Sequence, residues 1–215
     1  MEMPQAGGFD AQVLTDRLMR LARLDTSVFD EVKSDVNATI PAVVVAVAAT
    51  LLAGIGGLLW WIIEDYGDTG EFFFKSVILG GIFSVALWVA WLVVVYAVLT
   101  QVFREQTDLY QLVRTMGHAA APLGLSVLMF IPGIDFGLAL ASVALFFGLT
   151  TIAIQATTSA DPAKVLVANT IGFTVWAAVL TILASDDNIL APGIFIFDSI
   201  ADGVGSLIDV VNAFD

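Results

Sequence analysis

TDLYQLVRTMGHAAAPLGLSVLMFIP, from Thr107 to Pro132, determines how many times this chain is expected to cross a membrane. The stretch starts with charged residues, contains the only histidine of the chain and ends in a long apolar run. That run, Ala119 to Ile131, has 13 residues and is too short to cross a bilayer as an α-helix. A helix from Asp108 to Ile131 is long enough, so we predict a span that begins at the headgroup boundary.

Three residues of this helix are candidates for a special role. Arg114 and His118 lie one helical turn apart at the predicted boundary, where they are positioned to contact lipid headgroups or a cytoplasmic partner. A purely structural role is the alternative for both. Pro122 lacks a backbone donor, and we therefore expect it to kink the helix where it enters the bilayer.

The residues that follow predict a return through the membrane. Pro132 and Gly133 form a sequence typical of a tight reversal. The apolar segment 134–156 then runs on without a charge beyond Asp135. We predict a helical hairpin in which the third and fourth spans are its two arms.

Three more apolar runs lie outside this hairpin, at 41–63, 72–103 and 165–184. Of the 215 residues, 59% are hydrophobic and 13% are charged, and the mean hydropathy is +0.92. Soluble domains are less apolar and more charged. The predicted fold is therefore an all-α, polytopic membrane protein with five transmembrane helices.

Amphipathic helices are predicted at both ends of the chain. In residues 9–24 the apolar side chains fall on one side, and Arg17 lies largely on the other with further charged residues. This helix is predicted either to anchor the chain at a membrane surface or to pack on the protein's own bundle. Residues 185–215, an acidic tail, predict a weaker amphipathic helix at the outer surface. The resulting division is an N-terminal segment 1–40, a membrane domain 41–184 and the tail 185–215.

Basic residues predict the orientation. With five spans, seven of the eight Lys and Arg residues fall on one side of the membrane and one on the other. Because basic residues concentrate on the cytoplasmic side, the N-terminus is predicted to be cytoplasmic and the C-terminus extracytoplasmic, in the cell membrane. The seven are Arg17, Arg20, Arg23, Lys33, Arg104, Arg114 and Lys164, and the eighth is Lys75.

Net charge and missing residue types argue against several functions. Eight basic and 21 acidic residues give a net charge of −13, which disfavours binding to nucleic-acid phosphates and suits a halophilic source. With no cysteine and one histidine, no metal site, cofactor site or catalytic residue is expected. The sequence also lacks the short motifs of phosphate loops, metalloproteases and α/β-hydrolases. We therefore expect a protein that is not an enzyme.

Polar side chains within the last two spans have two interpretations. They could line a passive pathway for a small solute, or they could form hydrogen bonds between packed helices. The residues are Thr150, Thr151, Gln155, Asn169 and Thr174.

The order of these segments resembles the Yip1 domain family. The resemblance rests on DLYQLVRTMGHAAAPLGLSVLMFIPG, on the short loop Asp161-Pro162-Ala163-Lys164 and on the leader LTDRLMRLARLDTSVFDEV, which is similar to that of prokaryotic members. It implies a five-span protein that organises the bilayer or partner proteins. Eukaryotic members are implicated in membrane traffic and in contacts with small GTPases through long cytosolic tails.

The function expected from these observations is that of a Yip1-like membrane protein whose partners are the lipid bilayer and either another membrane protein or further copies of itself. Two alternatives stay open at this point. One is a small-solute channel or transporter, and the other is an accessory subunit of a larger membrane complex.

Overall fold

The structure, a computed structural model, describes residues 10–63, 65 and 67–183, and this part of the chain is helical with short connections. The predicted tail 185–215 and its amphipathic helix lie outside the described residues. The α-helices are α1 (Ala11–Ala22), α2 (Val28–Ser34), α3 (Thr39–Ile63), α4 (Thr69–Phe72), α5 (Gly80–Ala97), α6 (Leu109–Ala119), α7 (Asp135–Gln155) and α8 (Pro162–Leu183). A π-helical segment, Phe73–Leu79, joins α4 to α5, and a second one, Val98–Val102, extends α5.

Four helices in the described part of the chain are long and apolar enough to cross a membrane: Val36–Ile63, Thr69–Val102, Gly137–Gln155 and Pro162–Leu183. They confirm the prediction of an all-helical protein with several membrane helices. The predicted third span differs, because it is not one continuous α-helix. It consists of α6 followed by a 3₁₀-helix, Ala121–Phe130, which we call the 3₁₀ segment.

Burial along the 3₁₀ segment repeats every three residues. Leu123, Ser126 and Met129 are buried, whereas Leu125 and Leu128 are exposed. A 3₁₀-helix has three residues per turn, so each set forms a straight row along the helix, and the two rows lie about 120° apart. The segment has ten residues, although most 3₁₀-helices have three or four.

Pro122 stands at the start of the 3₁₀ segment. It cannot donate a backbone hydrogen bond, and its ring clashes with the carbonyl one α-helical turn earlier. The α-helix accordingly ends at Ala119, and the backbone N–H of Ala120 bonds to carbonyls of the last turn. Pro122 was predicted to kink an α-helix. In the structure the chain instead changes from an α-helix to a 3₁₀-helix at this point.

α6 and the 3₁₀ segment lie very close to α3. A Cβ on Gly117 would lie 2.7 Å from the Cβ of Ala42, and a Cβ on Gly56 would lie 2.2 Å from the carbonyl oxygen of Ser126. Only glycine allows backbones to approach this closely. Along α3, Ala42 comes before Gly56, and their neighbours Gly117 and Ser126 come in the same order. α3 and the stretch formed by α6 and the 3₁₀ segment therefore run in the same direction.

α7 runs back along α6. Ala119 shares a buried cluster with Leu149 and Ala153 near the end of α7, and the hydroxyls of Thr107 and Thr157 are 3.1 Å apart. The start of α6 therefore lies beside the end of α7. Between them the chain reverses at residues 131–134, where Gly133 takes a φ of +86° that favours glycine.

The first two helices form a platform, residues 11–34, on one end of the bundle. Leu21 of α1 and the buried apolar face of α2 share a cluster with Ala119 and Leu149. α1 was predicted either to anchor the chain at a membrane surface or to pack on the protein's own bundle. In the structure it packs on the bundle. We call this end of the molecule the platform end.

Candidate functional site

The platform is fixed by a group of charged side chains around Arg17. Its guanidinium donates to Glu31 at 2.8 Å and to Asp35 at 2.7 Å, although only 5% of the residue is exposed. Arg17 lies on the same side of α1 as the buried Leu14 and Leu21, because positions separated by three and four residues share a helix face. The prediction that Arg17 lies with the solvent-facing charges is therefore wrong.

Arg20 extends this group toward the surface of the platform. It donates to Asp25 at 3.0 Å, to Glu31 at 2.8 Å and to the hydroxyl of Ser27 at 3.0 Å. The turn between α1 and α2 is thereby tied to both helices. Hydrogen bonds from Ser27 and Arg20 lower the pKa of Asp25.

The two arginines also change the protonation of the acids that they contact. Burial alone would raise the pKa of Glu31, but hydrogen bonds from Arg17 and Arg20 outweigh it and lower the pKa. The pKa of Asp35 is lowered in the same way, by Arg17 and by the backbone N–H of Asn37, with a further contribution from the charge of Arg114. All these acids are therefore ionised at neutral pH, and the group is held together by opposite charges.

Arg114 connects α6 to the platform and to α3. Its guanidinium donates to the backbone carbonyl of Lys33 at 2.7 Å and to the hydroxyl of Thr39 at 3.1 Å. The Lys33 side chain in turn donates to the carbonyl of Ala156 at the end of α7. Arg114 is largely buried, so these contacts favour a structural role over the predicted contact with headgroups.

His118 is completely buried one turn further along α6. Its Nδ1 lies 2.8 Å from the carbonyl oxygen of Arg114, so Nδ1 carries the proton that this bond needs. Its Nε2 is buried and has no hydrogen-bond partner among the described residues. In this conformation His118 cannot reach a headgroup, and it too is placed for a structural role.

A second polar group joins three helices in the middle of the bundle. The indole N–H of Trp91 on α5 donates to Oδ1 of Asn169 on α8 at 3.1 Å. The amide nitrogen of Asn169 donates to the hydroxyl of Thr151 on α7 at 2.7 Å and to the carbonyl of Phe147 at 3.2 Å. The polar atoms of Asn169 are thus used between helices, as the second interpretation of these residues predicted.

Aromatic rings surround this polar group. The Trp91 ring meets Phe146 and Phe173 edge to face, with ring centroids 5.1 and 5.5 Å apart, and lies 5.9 Å from the ring of Trp176. Trp91 also lies directly over Gly172, where a Cβ would be 2.0 Å from its ring. The ring therefore closes the space around Asn169.

The other predicted lining residues do not meet at this group. Thr150 is buried, and its hydroxyl has no partner among the described residues. Gln155 donates to the carbonyl of Ala160 at the platform end, and Thr174 is exposed on α8. Of the five residues considered for a pathway, the structure brings together only Thr151 and Asn169.

Residues 10–63, 65 and 67–183 contain no group of three His, Cys, Asp or Glu side chains that could hold a metal ion. Asp25, Glu31 and Asp35 are each paired with an arginine. In this part of the chain the polar groups hold helices together.

Sequence reasoning did not identify Asp35, Thr39 or Trp91 as partners of buried polar groups. The signal for Arg17 was present, since Leu14, Arg17 and Leu21 follow the spacing of one helix face. Asp35, Thr39 and Trp91 each have a hydrogen-bond partner that lies more than 15 residues away in the sequence. The local spacing of residues does not indicate such pairs.

Comparison with known proteins gives no match: no family model, no curated protein and no solved structure is significantly similar to this chain.

Proposed function

We propose that the protein is a non-enzymatic, Yip1-like membrane protein that organises partner proteins at the cell membrane and presents the α1–α2 platform to them. The observation that carries this proposal is the way the platform is attached. Arg17 fixes α1 to α2, while Arg114 and Lys33 fix α2 to α3, α6 and α7. A surface held in one orientation suits recognition of a partner, because little order must be gained on binding.

The outward side of the platform offers both apolar and charged groups. Met19 is 53% exposed on α1, and Leu24 is 62% exposed in the following turn. The side chains of Asp16 on α1 and Asp30 on α2 are also exposed. Such a mixture of apolar and polar groups is typical of surfaces that bind other proteins.

The platform end is proposed to be cytoplasmic, with five crossings in total. Ala42 and Gly56, which lie against Gly117 of α6 and Ser126 of the 3₁₀ segment, are separated by about 21 Å along α3. The ten residues of the 3₁₀ segment add about 20 Å of length, against about 15 Å for the same residues in an α-helix. These lengths support a crossing by α6 and the 3₁₀ segment, with α7 as the second arm of the hairpin.

Contacts of basic residues support the same orientation. Lys33 contacts the end of α7, and Lys164 pairs with Glu105 beside the start of α6. Both belong to the seven basic residues expected on the cytoplasmic side, whereas Lys75 pairs with Glu71 beyond the far end of α3. With five crossings, the C-terminus is extracytoplasmic.

A passive pathway receives less support than a partner-binding role. A pathway needs polar groups that are free to contact the solute. Asn169 and Thr151 are instead bonded to each other and enclosed by Trp91.

Site-specific photocrosslinking tests the proposed function. A photoreactive amino acid at Met19 is expected to yield a covalent adduct with another protein in native membranes. The same amino acid at Val175, which is 41% exposed on the apolar surface of α8, is the matched control and is expected to yield lipid adducts only. Solute-specific flux into vesicles, together with no protein adduct at Met19, would contradict the proposal.

The absence of cysteine allows a separate test of orientation. Single-cysteine variants Arg23→Cys and Gly67→Cys are exposed to a membrane-impermeant thiol reagent in intact cells. Labelling of Gly67→Cys alone is expected. Labelling of Arg23→Cys alone would reverse the orientation, and labelling of both would overturn the crossing by α3.

A further inference from the structure

A groove of about 360 Å³ lies between α3 and the helix that starts at Thr69. Seven residues line it, and most of them are aliphatic. Val47, Thr50 and Leu51 of α3 face Ile78 of the first π-helical segment and Gly81 and Ile82 of α5.

The groove lies at the depth of the bilayer interior. Residues 47–51 are near the middle of α3, and residues 78–82 lie well inside the helix from Thr69 to Val102. Both helices belong to the four that are apolar enough to cross a membrane. The medium around the groove is therefore hydrocarbon.

Gly81 makes the groove deep. A Cβ at this position would lie 3.5 Å from Cδ2 of Leu51, an ordinary contact distance, so the missing side chain leaves space between the two helices. Leu51 and Ile82 remain exposed beside it. An occupant would thus touch aliphatic groups on both helices.

The lining of the groove distinguishes two occupants. Seven lining residues are far fewer than the roughly 20–30 per side of a stable protein interface. A helix from a second copy would therefore need contacts well outside the groove, whereas a single hydrocarbon chain needs only the groove itself.

We propose that this groove binds one hydrocarbon chain of a membrane lipid. A single chain is narrow enough to enter between α3 and α5, and branched aliphatic side chains contact it along its length. Thr50 is the only lining residue with a polar side-chain atom, so the groove recognises the chain and does not select a headgroup. The site is separate from the platform and does not depend on the function proposed for it.

Photoreactive lipid tests the site in the full-length protein. The protein is reconstituted in phosphatidylcholine vesicles that contain a phospholipid with a diazirine in one acyl chain. After illumination, adducts are mapped by mass spectrometry. Adducts are expected to concentrate at Val47, Leu51 and Ile82, relative to Ile171 and Val175, which are exposed on α8 to a degree similar to Leu51. Equal adduct yields in the groove and on α8 would overturn the proposal.

Two variants at one position make the test sharper. Gly81→Leu fills the groove and is expected to reduce adducts at Leu51 to the level of the α8 positions, whereas Gly81→Ala leaves room and is expected to retain them. Val47→Phe fills the groove from the opposite wall and gives the same readout if Gly81→Leu does not fold. Unchanged adducts in a folded, filled variant would refute the site. Disulfide-linked dimers of Ile82→Cys in vesicles would identify a second copy as the occupant instead.

Discussion

Arg17 and Asp35 are joined by a 2.7 Å hydrogen bond between a guanidinium group and a carboxylate that are 18 positions apart in the sequence. Asp35 also accepts a hydrogen bond from the backbone of Asn37, in the turn that leads into α3. One carboxylate thus links α1 to the first membrane helix. This link adds to the apolar packing of the platform, to which α1 contributes only Leu14 and Leu21 as buried apolar residues.

Replacing Asp35 by alanine is expected to loosen the platform. Arg17 would remain buried with one of its two acids missing, and loss of a hydrogen bond to a charged group costs about 1–3 kcal/mol. Hydrogen exchange of α1 and α2 amides should then accelerate by roughly 5- to 150-fold, while exchange in α8 stays unchanged. Asp16→Asn is the control, since Asp16 is exposed and lies 3.9 Å from Arg20. Equal acceleration in both variants would contradict the role of Asp35.

Acid is expected to release the platform before it affects the membrane helices. Glu31 and Asp35 have pKa values below the ordinary values of 4.5 and 3.8, so the stability they contribute is complete above those values and is lost as the pH falls through the lowered ones. Protection of α1 and α2, corrected for intrinsic exchange, should therefore be constant from neutral pH to about 5 and should decrease below about 4. The triple variant Asp25→Asn, Glu31→Gln, Asp35→Asn should lose this dependence, because the pKa of Asp25 is lowered as well. A dependence centred near neutral pH would point to a different group.

Alanine at Gly56 or Gly117 is expected to destabilise the bundle. The added methyl group would collide with the carbonyl of Ser126 in one case and with Ala42 in the other, and overpacking of this kind costs about 1–3 kcal/mol. Thermal unfolding in detergent should show a lower Tm for both variants. Gly148→Ala is the matched control, because a Cβ there meets nothing within 4 Å, and its Tm should be unchanged or higher.

The hydrogen bond between Trp91 and Asn169 predicts a coupling that a double-mutant cycle can measure. Trp91→Phe and Asn169→Leu each remove one partner, and their combined effect on unfolding should be smaller than the sum of the single effects. The expected coupling is about 0.6 kcal/mol and at most about 1.7 kcal/mol, as found for hydrogen bonds between membrane helices. Additive effects would mean that the bond contributes nothing. Solute flux that changes in Asn169→Leu while stability does not would favour the pathway.

Spin labels placed one at a time on residues 121–130 should reveal the three-residue repeat of the 3₁₀ segment. Contact with dissolved oxygen, which is concentrated in the hydrocarbon, should be low at 123, 126 and 129 and high at 125 and 128. A period of three residues distinguishes this segment from an α-helix, where the period is 3.6. Labels on α8 give the α-helical pattern for comparison. A period of 3.6 on both segments would contradict the structure.

The membrane helices could be predicted where the sequence is continuously apolar. The runs at 41–63 and 165–184 correspond closely to α3 and α8, because an isolated apolar run of this length has few alternatives to a helix in a membrane. The 3₁₀ segment was not predicted, since the length of residues 119–131 was judged with the rise of an α-helix. Pro122 signalled an interruption without indicating which helix would follow.

The polar sites were harder to predict than the helices. Arg17 was placed with the solvent-facing charges and Arg114 at the headgroup boundary, because a charged residue near a membrane boundary usually faces water or headgroups. Their burial depends on Glu31, Asp35 and the Lys33 carbonyl, which tertiary packing brings to them. For Asn169 and Thr151, hydrogen bonding between helices was one of two interpretations, but their partner Trp91 could be found only in three dimensions.

The ten residues of the 3₁₀ segment also have a mechanical consequence. Rewound as an α-helix, the same residues would be about 5 Å shorter, nearly the pitch of one α-helical turn. The reversal at Gly133 would then be drawn toward α6 by that distance, and the straight row of Leu123, Ser126 and Met129 would turn into a spiral across α3 and α7. The length of this part of the bundle is therefore set by how the backbone is wound, and it can change without any residue being added to the segment or removed from it.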